Sequence, residues 1–144
     1  MKNKTALLTT LILGISLLTA CTKNTPFLET GQGSKAVNEA TLHLMEQYPD
    51  TVIFSDELYQ TKDKVLHIAV RFDPKNMPTR AERENVVQGL LNDIAVRAQQ
   101  PDWRPLLRDA ELKIDMLSFD ENDKDTEIPL AVKKKNSDQL EFAK

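Results

Sequence analysis

The sequence predicts an α+β domain in the order α-β-β-α-β-β, with two helices packed on one face of a small antiparallel sheet. Three observations predict it. Apolar residues recur at three- and four-residue steps in two stretches, Val37 to Tyr48 and Val87 to Ala98. They recur at two-residue steps in Leu66 to Phe72 and again from Leu112 to Met116. A four-residue polar turn, Gln60-Thr61-Lys62-Asp63, joins the first two predicted strands and implies an antiparallel hairpin.

Each element has its own signal. Ser34 is the expected N-cap of a first helix that runs to about Tyr48, where Pro49 stops it. Val37, Ala40, Thr41, Leu44 and Tyr48 form its buried stripe. Thr51 to Tyr59 reads as a strand, with Val52, Phe54 and Leu58 to one side and Asp56 breaking the pattern. Lys64 to Phe72 is the clearest strand: Leu66, Ile68, Val70 and Phe72 face one way, Val65, His67, Ala69 and Arg71 the other. Thr79 opens the second helix, with Glu82 completing a capping box. Its core stripe is Val87, Leu90, Leu91, Ile94 and Ala98, and it ends before Pro101. Gly89 in its interior implies close packing against a neighbour, because glycine there costs up to about 1 kcal/mol against alanine. Pro101 to Leu107 is a turn or a single helical turn, Glu111 to Phe119 a third strand. Ile128, Leu130 and Val132 mark a short fourth strand, which Pro129 places at an edge. This element order resembles that of small extracytoplasmic modules such as the BON domain, with no shared motif from which a residue or a role carries over.

The start of the chain has a different character. Lys2 and Lys4 precede an uncharged run from Thr5 to Ala20, which is the layout of a secretion signal. The run is shorter than the roughly 20 apolar residues of a spanning helix, and threonines and Ser16 dilute it. It ends in Leu18-Thr19-Ala20-Cys21, which resembles the lipobox of bacterial lipoproteins, and Cys21 is the one cysteine of the chain. The resemblance implies that residues 1–20 are cut away. It also implies that Cys21 carries a diacylglyceryl group and fatty acyl, palmitate among them, which hold the protein on a membrane. Thr22, where enteric lipoproteins kept at the inner membrane have aspartate, leans toward the outer membrane if the host is Gram-negative. The expected organisation is a signal peptide over 1–20, a lipidated cysteine and tether over 21–33, one domain over 34–132 and a polar tail over 133–144.

Composition narrows the function. Without residues 1–20 the chain has 17 basic against 22 acidic residues, a formal −5, which argues against gripping nucleic acid. With Cys21 lipidated no thiol is left for a disulfide or thiolate metal site, and a mature chain of 124 residues can bury an adequate core without one. Glu39, His43 and Glu46 share a helical spacing that two carboxylates and an imidazole could use to hold a metal, but nothing nearby supplies further ligands, and a solvated helix face explains them better. His67 is a possible general base with no motif-placed acid or nucleophile, so it reads as a surface histidine. The acidic run from Asp120 to Glu127 fails the EF-hand pattern, having Asp125 at position six and Ala131 at position twelve. Lys133, Lys134 and Lys135 could touch anionic lipid or a phosphate but fall short of a lipid-binding cluster, and they read as charge that keeps a strand end soluble. Trp103 and Arg104 make a candidate partner contact, against the plainer reading of Trp103 as a lid on the core.

The second face of the sheet is the most informative surface. Period two assigns it Ile53, Tyr59, Val65, Ala69, Leu117 and Phe119. Such an apolar face is usually covered, either by Leu140 and Phe142 of the tail, by Phe27 and Leu28 of the tether, or by a partner or second copy. The expected function is a lipid-anchored envelope module that docks on another envelope component. No metal or cofactor beyond the acyl groups is expected. The alternative, an enzyme or enzyme inhibitor acting on envelope polymers, needs a cleft with convergent acids, and the sequence signals none.

Overall fold

Thr30, rather than Ser34, caps the first helix: its Oγ1 accepts from the Gly33 amide at 2.9 Å, and α1 spans Gly31–Gln47. The computed structural model describes residues 24–119 and 124–144, the side chain of Phe119 excepted. Ahead of the cap, Phe27–Glu29 form a 3-10 turn that buries Leu28 and receives the Thr30 hydroxyl at the Phe27 carbonyl, 2.6 Å away. Gly33 is required here, because a Cβ would lie 1.8 Å from that same carbonyl oxygen. Residues 27–33, read as tether from the sequence, are therefore part of the folded body. The helix ends as expected at Tyr48, whose amide donates to the Leu44 carbonyl.

Among the described residues five strands form one sheet in the order β1-β2-β3-β4-β5. Strand β1 is Val52–Gln60, β2 Val65–Phe72, β3 Glu111–Phe119, β4 Asp125–Lys133 and β5 Glu141–Phe142. The hairpin β1–β2 is antiparallel, but β2 and β3 run parallel, with Leu66 opposite Leu112 and Ile68 opposite Ile114. The sheet is thus mixed, not antiparallel throughout. The reason lies in the connection: helix α2, Arg80–Arg97, and the single turn α3, Trp103–Leu106, carry the chain back to the end where β2 began. The tail is not free either. Phe142 pairs with Ala131, and the Ala143 amide donates to the Leu130 carbonyl at 2.9 Å.

Helix α2 starts where the capping box places it. Thr79 Oγ1 accepts from the Glu82 amide and the Thr79 amide donates to Glu82 Oε2 at 2.7 Å. These bonds hold the Glu82 carboxyl below its ordinary range. Gly89 lies where a Cβ would sit 3.2 Å from the Tyr48 hydroxyl, so its neighbour is the end of α1. One core joins Val37, Ala40 and Leu44 of α1, Val87, Leu90, Leu91 and Ile94 of α2, and Leu66, Ile68, Val70, Phe72, Leu112 and Ile114 of the sheet. Trp103 closes it, 2% exposed, with the Arg104 guanidinium 5.0 Å above the ring and also bonded to Asp102. The tryptophan is a core lid and is not available as a contact. Lys133 is also corrected: it is fully buried, and its ammonium donates to the carbonyls of Ala110, Lys134 and Ser137 at 2.7, 3.1 and 3.2 Å.

Candidate functional site on the outer sheet face

A bulge at Ile53 decides which side chains reach the outer face. It shifts the β1 register between Val52, opposite Phe72, and Phe54, opposite Arg71. Residues directly opposite share a face, so Phe54, Asp56, Leu58 and Gln60 join Arg71, Ala69, His67 and Val65 on the outer side. Tyr59 goes to the other side. It lies opposite Leu66, packs against the core and donates its hydroxyl to Glu29 at 3.3 Å. The expected place of Tyr59 on the outer face is thereby overturned, and Phe54 and Leu58 part from Val52, with which the alternation had grouped them. Leu58 is 59% exposed and Phe54 39%.

The outer face is more polar than period two alone suggests. From β3 it receives Lys113, Asp115 and Leu117, and from β4 it receives Glu127 opposite Leu117. Ala69 and Leu117 are half-buried and Val65 is buried. Phe119 continues the β3 register opposite Asp125, and its side chain lies outside the described residues. Arg71 lies 5.7 Å from the centre of the Phe54 ring and reaches Asp125 at 2.7 Å, which ties β1 to β4 across the end of the face. Neither proposed internal cover crosses it. Leu140 and Phe142 pack on the core with the helices, as do Phe27 and Leu28.

A shallow, open hollow marks the middle of this face. The small side chain of Ala69 leaves room between Asp56, Leu58 and Gln60 on one side and Glu127 on the other, with His67 alongside. Asp115 stands opposite Ala69. Burial raises its carboxyl above the ordinary aspartate range and the charge of Glu127 adds to the rise, while His67 and Lys113 oppose it. Two carboxylates held near one another on a partly desolvated sheet make a surface that prefers a cation, and the exposed Leu58 beside them offers apolar area. The same groups could exchange a proton, but acid–base chemistry gains from a water-excluding cleft, and this hollow is open.

The remaining candidates are placed as follows. His43 Nδ1 lies 3.0 Å from Asp93 Oδ2, which also accepts from Arg97 Nε at 2.9 Å, and Arg97 reaches Glu39 at 3.3 Å. Glu39 and His43 therefore clamp α1 to α2. Among the described residues no group of three or more histidines, cysteines, aspartates or glutamates could hold a metal, and no helix is long and apolar enough to cross a membrane. Cys21 and the lipobox-like stretch lie outside the described residues, as do Asp120, Asn122 and Asp123 of the acidic loop. No protein-family model matches the chain, and no curated protein or solved structure matches it.

Proposed function

We propose that this chain is a lipid-anchored protein of a bacterial cell envelope that docks on another envelope protein through the outer face of its sheet. The observation that carries the docking is the uncovered hollow at Ala69, where Asp115 and Glu127 stand together beside an exposed Leu58. An ionised carboxylate disfavoured by its surroundings gains most when a cation is brought to it. The complementary surface accordingly has a lysine or arginine next to an apolar side chain. The anchor is the acylated Cys21, and its membrane is the outer one if the host is Gram-negative. The protein acts by binding, without a reaction of its own.

Site-specific crosslinking tests this reading. A photoreactive residue at position 58 should give one discrete adduct in intact cells, and the same residue at Val96, exposed on α2, should give none. Glu127→Lys should abolish the adduct by setting like charges against each other. Equal labelling from both positions, or an adduct indifferent to the charge change, would remove the outer face from the proposal.

A further inference from the structure

Three loops and the entry of the chain meet at one pole of the molecule. The Glu111 amide donates to the Lys64 carbonyl at 2.8 Å and the Asn136 amide to the Arg108 carbonyl at 2.7 Å. Lys135 Nζ donates to the Asp63 carbonyl at 3.3 Å. These bonds draw together the β1–β2 turn, the link from α3 to β3 and the β4–β5 turn. Phe27 and Leu28 close the same end, bordering a small cleft with Tyr59, Leu106, Asp109 and Ala110.

Cations distant in sequence collect there. Lys62, Arg108, Lys134 and Lys135 are exposed, Lys64 is half-buried, and the Lys133 ammonium lies just beneath. Glu29, Asp63, Asp109, Glu111 and Asp138 are interspersed, so this pole is close to neutral on an otherwise acidic chain, with its exposed bases on the loops. Only residues 22–26 separate Cys21 from the 3-10 turn, and that covalent path spans at most roughly 20 Å. An acylated Cys21 would keep this pole within reach of the headgroups.

We propose that the pole is a membrane-facing surface: Lys62, Arg108, Lys134 and Lys135 meet the phosphates of anionic phospholipids in the bilayer that holds the anchor. The inference rests on the lipoprotein reading and adds an orientation to it. Strands β1 to β4 all have one end at this pole, so they stand upright on the bilayer and the outer sheet face looks sideways, toward a neighbour in the same membrane. Clustered cations near a bilayer gain from the negative surface potential, and the gain falls within a Debye length.

The test uses the full lipidated chain in vesicles of phosphatidylcholine alone or of equimolar phosphatidylcholine and phosphatidylglycerol. An environment-sensitive dye is placed at Thr61→Cys, on the pole, or at Thr126→Cys, at the far end of β4. The Thr61 dye should shift to the blue on the anionic vesicles only, and high salt should reverse the shift. The Thr126 dye should not respond. Combining Lys62→Glu, Arg108→Glu and Lys134→Glu should abolish the response with the melting temperature nearly unchanged, since all three side chains are exposed. Identical emission on both vesicle types, with the chain bound to both, overturns the inference and leaves the anchor standing. A chain that sediments with neither overturns the anchor, and the inference with it.

Discussion

Asp115 and Lys133 each sit where burial works against their charge. For Asp115 the folded state holds the proton more tightly than the unfolded chain does. Its contribution to stability is complete below the ordinary value, about 3.8, and is lost as pH rises through that value and the higher folded one. Asp115→Asn should therefore raise the melting temperature at pH 7, and the gain should vanish as pH falls below the ordinary aspartate value. A melt indifferent to the substitution at pH 7 would remove the desolvation argument for this face. Lys133 is pushed down from the ordinary lysine range by burial, with Asp138, Asp109 and Glu111 pulling the other way. Its loss takes a charged donor from three carbonyls at once, so Lys133→Met should lower stability by on the order of 3 kcal/mol in a urea titration. A change within a few tenths would contradict its structural role. Nothing in the run Lys133-Lys134-Lys135 distinguishes the buried lysine from its neighbours, because the acceptors come from residues more than twenty positions apart as well as from adjacent ones.

At the scale of elements, legibility followed the locality of the forces. Helix α2 was readable because its cap, stripe and stop are all within its own residues. Thr79→Ala should cost about 1 kcal/mol through loss of that cap. Leu91→Ala should cost about 2–5 kcal/mol, since Leu91 is fully buried. Melts ranking the two the other way would contradict the face assignment. Strand β2 was readable for the same reason, its period two being unbroken. Strand β1 was not, because the bulge at Ile53 inverts every later side chain and carries no glycine, its trace in the sequence being Asp56 on the side of Phe54 and Leu58. The parallel pairing of β2 with β3 and the short β5 depend on contacts remote in sequence, which periodicity does not register. Removing residues 137–144 deletes β5, the Phe142 packing and one Lys133 partner. It should lower the melting temperature by several degrees, roughly 1 kcal/mol or more. An unchanged melt would mean that the tail is ornamental.

For the whole molecule, the fold gives its sides different characters. Among the described residues the helices and tail fill one face of the sheet, the other face is open, and the pole that Phe27 and Leu28 close has the exposed loop cations Lys62, Arg108, Lys134 and Lys135. The site's two anchors in the sequence, Ala69 and Leu117, were legible from β2 and β3. Its chemistry was not, since Asp115, Glu127 and His67 come from three strands brought together by a mixed pairing. The proposed envelope location and the proposed membrane-facing pole both rest on acylation of Cys21. The direct measurement is the mass of the N-terminal peptide of the protein extracted from membranes, beside that of Cys21→Ser. The account predicts a mature chain that begins at Cys21 and bears two or three acyl chains, and a serine variant that keeps residues 1–20 and takes up no labelled palmitate. A mature chain with an unmodified Cys21 thiol, or equal palmitate in the serine variant, would contradict it.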